Sequence, residues 1–192
     1  MTRQYFDEIF NESMRCSKTF IASHADVLEQ VSQELINAFR NGNKLLLFGN
    51  GGSAADAQHI AAEFVNRLTL NRAALPAIAL TTDSSVLTCI ANDFEYNRIF
   101  SRQVEALGKP GDIAWGMSTS GNSKNVIAAL ELARNQKLIT MASLGNKGGE
   151  ILNIVDHSMI VDSSSAQRIQ EVHITVAHAI CQRVEEGLFL TS

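Results

Sequence analysis

His59 and Glu63 stand four residues apart in the stretch AADAQHIAAEF, whose spacing predicts a helix, so their side chains share one helical face. An imidazole and a carboxylate so placed can bind zinc or run a proton transfer. Asp56 lies one turn earlier and could orient the His59 ring. Glu63 sits among Ile60, Ala61, Ala62, Phe64 and Val65. A carboxylate in that company needs a partner. Alone, the pair also fits an ordinary surface pair.

Two polar loops could bring a ligand to these residues. The first, Gly49-Asn50-Gly51-Gly52-Ser53, lies between an apolar run and the helix carrying His59. Glycine lets a backbone turn sharply and approach a ligand, and the helix start beyond it offers unpaired N–H groups and a positive dipole end. Ser53 could cap that helix or touch a ligand hydroxyl. Gly49, Gly51 and Ala54 also satisfy a loose dinucleotide fingerprint, with Asp83 as ribose partner, although Asp83 lies farther on than the usual spacing of about 20 residues. A P-loop is excluded because no Gly-Lys-Ser/Thr follows. The second loop, Ser118-Thr119-Ser120-Gly121-Asn122-Ser123, offers four hydroxyls, a glycine and another helix start. That set suits a phosphate monoester and exceeds what one helix cap uses.

The last candidate is RIQEVHITVAHAICQ, with Gln170, Glu171, His173 and His178 in an otherwise apolar helix. Burial of His178 is expected, and a lone buried histidine is more often hydrogen-bonded structure than a ligand. Gln170 and His178 would sit about 12 Å apart along one helix axis and about 80° apart around it. Two such side chains barely converge on one ion, so either the site is spread out or a neighbouring subunit supplies a group. The second option also gives the N-terminal helices a partner.

The elements that must position these groups follow from composition and periodicity. The chain has 192 residues, 45% hydrophobic and 19% charged, with a formal charge of -4. That is an ordinary globular mixture, without the basic face of a nucleic-acid binder. Cys16, Cys89 and Cys181 are few and scattered, which predicts buried free thiols in a reducing compartment. Asp7, Glu8 and Glu12 rule out a secretory signal, and no apolar run reaches the roughly 18 residues of a membrane span. A cytoplasmic protein is expected.

Residues 1–42 read as two helices, one carrying Phe6, Ile9, Phe10 and Met14, the next Val27, Leu28, Val31, Leu35, Ile36 and Phe39, stopped by Asn41-Gly42. No strand precedes them, and packing onto another subunit is the expected use of their stripes. From residue 43 apolar runs at 45–49, 76–80, 112–117, 138–144 and 157–161 alternate with helical segments at 53–68, 83–107, 124–135 and 167–186. This predicts a single α/β domain over 1–192, a doubly wound parallel sheet with helices on both faces and an N-terminal helical extension.

With GNGGSA, IANDF, STSGNS and RIQEVHITVAH in hand, the whole chain resembles the sugar isomerase (SIS) domain family and, within it, the phosphoheptose isomerases. The resemblance implies that Asn50, Gly51, Gly52 and Ser53 hold the sugar chain. Asn92 and Asp93 would contact its hydroxyls, and Ser118, Thr119, Ser120 and Ser123 would bind its phosphate. It places zinc on His59, Glu63, Gln170 and His178, with Gln170 also touching substrate. Glu63 and His178 would be catalytic. An acidic residue common before Arg-Ile-Gln in the family is Gln167 in this chain. The implied reaction converts sedoheptulose 7-phosphate to D-glycero-D-manno-heptose 7-phosphate through an enediol, toward lipopolysaccharide precursors. The implied assembly is a homotetramer with active sites between subunits, with neither nucleic acid nor membrane as partner. A non-catalytic branch that binds phosphosugars or regulates replication initiation lacks the carboxylate and the terminal-helix histidine. This sequence retains Glu63 and His178.

Overall fold

Leu45, Leu46, Leu47 and Phe48 are all fully buried, which a strand achieves only when both of its faces are covered. They form β1 (Leu45–Gly49) in the computed structural model, which describes residues 2–190. Four more strands, β2 (Ala77–Ala79), β3 (Ile113–Ser118), β4 (Ile139–Gly145) and β5 (His157–Val161), complete a parallel sheet in the order β2-β1-β3-β4-β5. Leu45 lies opposite both Ala77 and Ile113, and Ile113 opposite Ile139.

The period-two alternation of strand side chains feeds two cores. Leu45, Leu47, Trp115 and Met141 point to one, with side chains of α1 (Thr2–Arg40), α2 (Gly52–Val65) and α6 (Ala166–Phe189). Leu46, Phe48, Ala114 and Leu144 point to the other, with α4 (Ser101–Leu107), α5 (Lys124–Asn135) and Ile90 of α3 (Ser84–Asp93). The expected doubly wound sheet is therefore what forms. The helical stretch expected over 83–107 is three pieces, α3, a 3-10 turn at Tyr96–Arg98, and α4. A 3-10 turn at Glu150–Asn153 joins β4 to β5 in place of a helix.

The N-terminal expectation needs correction. Residues 2–40 form one continuous helix, not two. Nothing between Phe20 and Val27 is glycine or proline, and the His24 ring stacks on Phe20 at 4.4 Å, one turn away. Phe20, Val31, Leu35, Ile36 and Phe39 are buried in this chain's own core, so the second half of α1 packs on its own domain. The first half is different. Tyr5, Phe6, Phe10 and Met14 are exposed. Along its length α1 also reaches the open edge of β5, where His24 Nε2 accepts the Ile160 N–H at 3.3 Å. The cysteines divide likewise: only Cys181 is buried, Cys16 being half-buried and Cys89 exposed.

Behind the sheet, Glu185 of α6 is 0% exposed. Its carboxylate accepts the N–H groups of Leu68, Thr69 and Leu70, the Thr69 hydroxyl, and Arg72 Nε at 2.9 Å. Arg72 in turn donates to the carbonyls of Glu63 and Phe64 at the end of α2. Burial alone would raise the Glu185 carboxyl, but the bonds from Leu68, Thr69 and Leu70 outweigh it and hold it at about 2. His173 is also buried, with Nε2 at 3.0 Å from the Leu144 carbonyl. Burial pushes its imidazole down to about 4 against the opposing pull of that bond.

Both groups bind more protons in the unfolded chain than in the folded one. For His173 this holds between its ordinary 6.5 and about 4, for Glu185 between 4.5 and about 2. Stability should therefore fall as pH drops below 6.5 and fall again below 4.5. Urea midpoints measured across that range should decline, and His173→Gln should flatten the upper part of the decline. A midpoint constant from neutral pH down to about 4 would contradict the neutral buried His173. Glu185→Gln, which leaves Arg72 buried without its counter-charge, should cost about 3–5 kcal/mol.

Candidate active site

In an open parallel sheet, ligands bind at the carboxyl ends of strands where the strand order reverses. Here the reversal lies between β1 and β3, and the two polar loops follow those strands.

The first loop enters α2 with Gly51 at the N-cap, φ +56°, without a side-chain cap bond. Ser53 is not the cap: it lies inside the first turn and is buried, its N–H bonded to the Asn50 carbonyl at 3.0 Å. Gly52 meets α6 closely. A Cβ there would sit 2.4 Å from Gln170 Nε2, so the loop needs glycine at that point for Gln170 to lie against it. The Asn50 side chain faces Asn125, the second residue of α5: each amide donates to the other, at 2.9 and 2.8 Å. Tyr96 donates to the same Asn50 oxygen at 3.1 Å.

The second loop gathers its hydroxyls. Ser118 Oγ lies 2.9 Å from Ser123 Oγ and 3.4 Å from Ser120 Oγ. It also accepts the Gly121 N–H, while Ser120 Oγ accepts the Asn122 N–H. Ser123 is the N-cap of α5, so the loop opens onto that helix's positive end. Thr119 is fixed by its carbonyl, which accepts Asn146 Nδ2 at 3.0 Å. Gly121 has φ +69°, and a Cβ on it would lie 2.1 Å from the Gly148 carbonyl oxygen. The loop is thus pressed against residues 148–151 from behind.

Two turns into α2, about 10 Å beyond Gly52, His59 meets His178. Their Nε2 atoms are 3.3 Å apart, and His59 Nε2 is 3.2 Å from Glu63 Oε1. One ligand atom from each of the three residues lies within 4.8 Å of the others. This convergence of His59, Glu63 and His178 occurs within one chain. His178 is half-buried, and the buried histidine of α6 is His173. Gln170 packs against Gly52, and among the described residues no hydrogen bond joins it to His178. Asp56 does not hold the His59 ring: no bond joins them, and Asp56 Oδ2 is buried without a partner. Burial raises the Asp56 carboxyl, partly countered by the His59 charge.

Asn92 and Asp93 are exposed and bonded to each other at 2.8 Å, at the end of α3 just before Tyr96. Asp83 caps α3 through the Val86 N–H and is not free for a ribose. Gln167 accepts the Ser165 hydroxyl at the start of α6. Asn125, Tyr96, Arg72 and Glu185 escaped sequence reasoning. Asn125 follows the serine loop by two residues and reads there as an ordinary helix-start amide. The Arg72–Glu185 pair spans 113 residues without a local signal.

This arrangement, a cradle of hydroxyls and a glycine loop at the switch point of a parallel sheet beside an imidazole-carboxylate group, has a known counterpart. The SIS domain family matches residues 4–145, and the chain belongs to that family. Within it, the phosphoheptose isomerase of Roseiflexus sp. (strain RS-1) is 53% identical over 188 residues, covering 98% of this chain and 95% of that protein. That of Synechocystis sp. (strain ATCC 27184 / PCC 6803 / Kazusa) is 52% identical over 90% of this chain and 89% of its own. The solved phosphoheptose isomerase of Neisseria gonorrhoeae superposes with a TM-score of 0.92 at 38% identity, covering 97% of this chain and 100% of that one. This chain is a member of the phosphoheptose isomerase family.

Gly121→Ala tests the cradle. The positive φ and the overlap with Gly148 predict a loss of at least about 1 kcal/mol in stability. Affinity for inorganic phosphate, read by calorimetry, should fall with it. Unchanged phosphate binding would remove residues 118–123 from the anion site.

Proposed function

We propose that this protein is a heptose-phosphate isomerase that converts sedoheptulose 7-phosphate to D-glycero-D-manno-heptose 7-phosphate in the cytoplasm, toward lipopolysaccharide precursors. The observation that carries the reading is the meeting of His59, Glu63 and His178 beside the two loops. The serine loop takes the phosphate, and the Gly49–Ser53 loop, with Asn92 and Asp93 at the rim, takes the sugar chain. Binding energy from the phosphate then positions the far end of the molecule.

Glu63 removes the proton on C1, and the electron pair of that C–H bond forms the C1–C2 double bond. The C2 carbonyl oxygen takes up a proton from His178, giving the enediol. Return of the Glu63 proton to C2, with the O1 proton passing to His178 to restore its imidazolium, yields the aldose. Acid-base pairs of this kind contribute about 100- to 10,000-fold to rate.

The donor set suits zinc. Zinc–nitrogen bonds of about 2.0–2.1 Å on a tetrahedron place ligand atoms about 3.3 Å apart. The His59–His178 and His59–Glu63 separations are 3.3 and 3.2 Å. His59, Glu63 and His178 would hold the ion, with Gln170 the further oxygen donor of the family pattern. When bound, zinc polarises a substrate carbonyl. One Glu63 oxygen would face the ion and the other the substrate proton.

The exposed Phe6, Phe10 and Met14 stripe supports a homo-oligomer, a tetramer with sites between subunits. So does an apolar groove of about 290 Å³ between α1 and α6, lined by Phe20, Ile21, Leu28, Val172 and Val176. A non-catalytic phosphosugar-binding regulator would be stabilised by ligand without turning it over, and would have no use for Glu63 and His178 together.

Glu63→Gln should lower turnover of sedoheptulose 7-phosphate by roughly 100-fold or more while leaving circular dichroism unchanged. Near-normal turnover in that variant would take the base role from Glu63. Metal analysis should find about one zinc per chain, lost in His178→Gln together with the thermal stabilisation that added zinc gives.

A further inference from the structure

We infer that Asn125 is a positioning residue that sets the span between the phosphate loop and the sugar loop, acting through the Asn50 side chain, with Tyr96 as the third member of the tie. The inference deepens the isomerase reading and rests on it.

Asn50 is the first residue beyond β1, and Asn125 lies two residues past Ser123, the last hydroxyl of the second loop. They are 75 residues apart in sequence, yet their amides form a closed pair with two hydrogen bonds. Asn125 is 3% exposed. A buried amide is retained only when its bonds are made, and this one makes both of its bonds to Asn50. Tyr96 is 60% exposed, yet its hydroxyl ends on the same Asn50 oxygen. That brings the α3–α4 connection into the tie, beside a cavity of about 130 Å³ lined by Asn50, Gly51, Ala54, Thr81 and Tyr96.

The pair bridges the gap between the ends of β1 and β3, and a phosphosugar reaching from Ser118–Ser123 to Glu63 must cross that gap. Because the Asn50 amide is engaged sideways with Asn125, what Asn50 offers the sugar is its backbone. The distance between cradle and sugar loop is then fixed by two amides rather than by ligand. Displacements of about 1 Å in such a frame can cost about 100-fold in rate. Inorganic phosphate, which needs only the second loop, does not read that distance.

Calorimetry with inorganic phosphate and with a heptitol 7-phosphate, which has no carbonyl to react, separates the two loops. In Asn125→Ala the phosphate Kd should move by less than about 3-fold. The heptitol phosphate Kd should rise about 10-fold or more, and kcat on sedoheptulose 7-phosphate should fall by more than about 10-fold. Tyr96→Phe, which removes only the third donor on an exposed rim, should shift the same ratio by a few-fold. In an Asn50→Ala background, adding Asn125→Ala should change kcat/KM by less than about 3-fold, since residues acting as one unit are non-additive. Equal weakening of both ligands in Asn125→Ala would overturn the inference, as would an undiminished Asn125 effect in the Asn50→Ala background. Should Asn125→Ala not fold, Tyr96→Phe decides alone, and an unchanged affinity ratio overturns the tie. A wild-type protein that binds the heptitol phosphate but leaves sedoheptulose 7-phosphate unreacted sinks the isomerase reading, while the affinity ratio still decides the role of Asn125.

Discussion

The ion pair between Glu185 and Arg72 sets how α2 lies against α6, and the candidate site is built across those two helices. A buried pair repays its desolvation only when its remaining valences are filled. Here three backbone N–H groups and a hydroxyl fill those of Glu185, and the carbonyls of Glu63, Phe64 and Ala73 fill those of Arg72. Arg72 thereby closes the last turn of α2 while Glu185 gathers the loop beyond it. Glu185 lies two turns beyond His178 on α6, on the same side of the helix. Fixing one end of the α2–α6 contact there leaves His178 facing His59 two turns away.

The sheet does the complementary task at the other end. Its parallel strands deliver both polar loops to one edge, and the reversal of strand order opens a crevice between them. As a proposed phosphate site the second loop needs no lysine, because it supplies hydroxyls and the start of α5. Its rigidity comes from behind. Ile151 N–H bonds to the Gly121 carbonyl, Glu150 N–H to Asn122 Oδ1, and Gly148 leaves no room for a side chain on Gly121. The unexpected 3-10 turn between β4 and β5 is what supplies those partners.

Much of the fold was legible because buried parallel strands are continuous apolar runs. LLLFG and HSMIV coincide with β1 and β5, and 124–135 with α5. The two polar loops were legible for a related reason: glycine and clustered hydroxyls are conspicuous between a strand and a helix. The single α1 helix was missed because two hydrophobic stripes, one solvent-facing and one core-facing, read as two helices. His178 is half-buried where burial was expected, and the buried histidine is His173, five residues earlier and about 140° away around the helix. The amide pair of Asn50 and Asn125 and the ion pair of Arg72 and Glu185 were illegible because each joins distant segments, and no local pattern encodes a contact across the fold.

The imidazole of His24 has a consequence for the solubility of the molecule. A parallel sheet has two open edges, each a template on which a foreign chain could add a strand. One edge is blunted by brevity, β2 being three residues long. At the other, α1 lies along β5 and His24 occupies the Ile160 N–H that an intruding strand would need. The long helix is thus also a guard against polymerisation, and a chain that loses it would present β5 as a nucleus for aggregates.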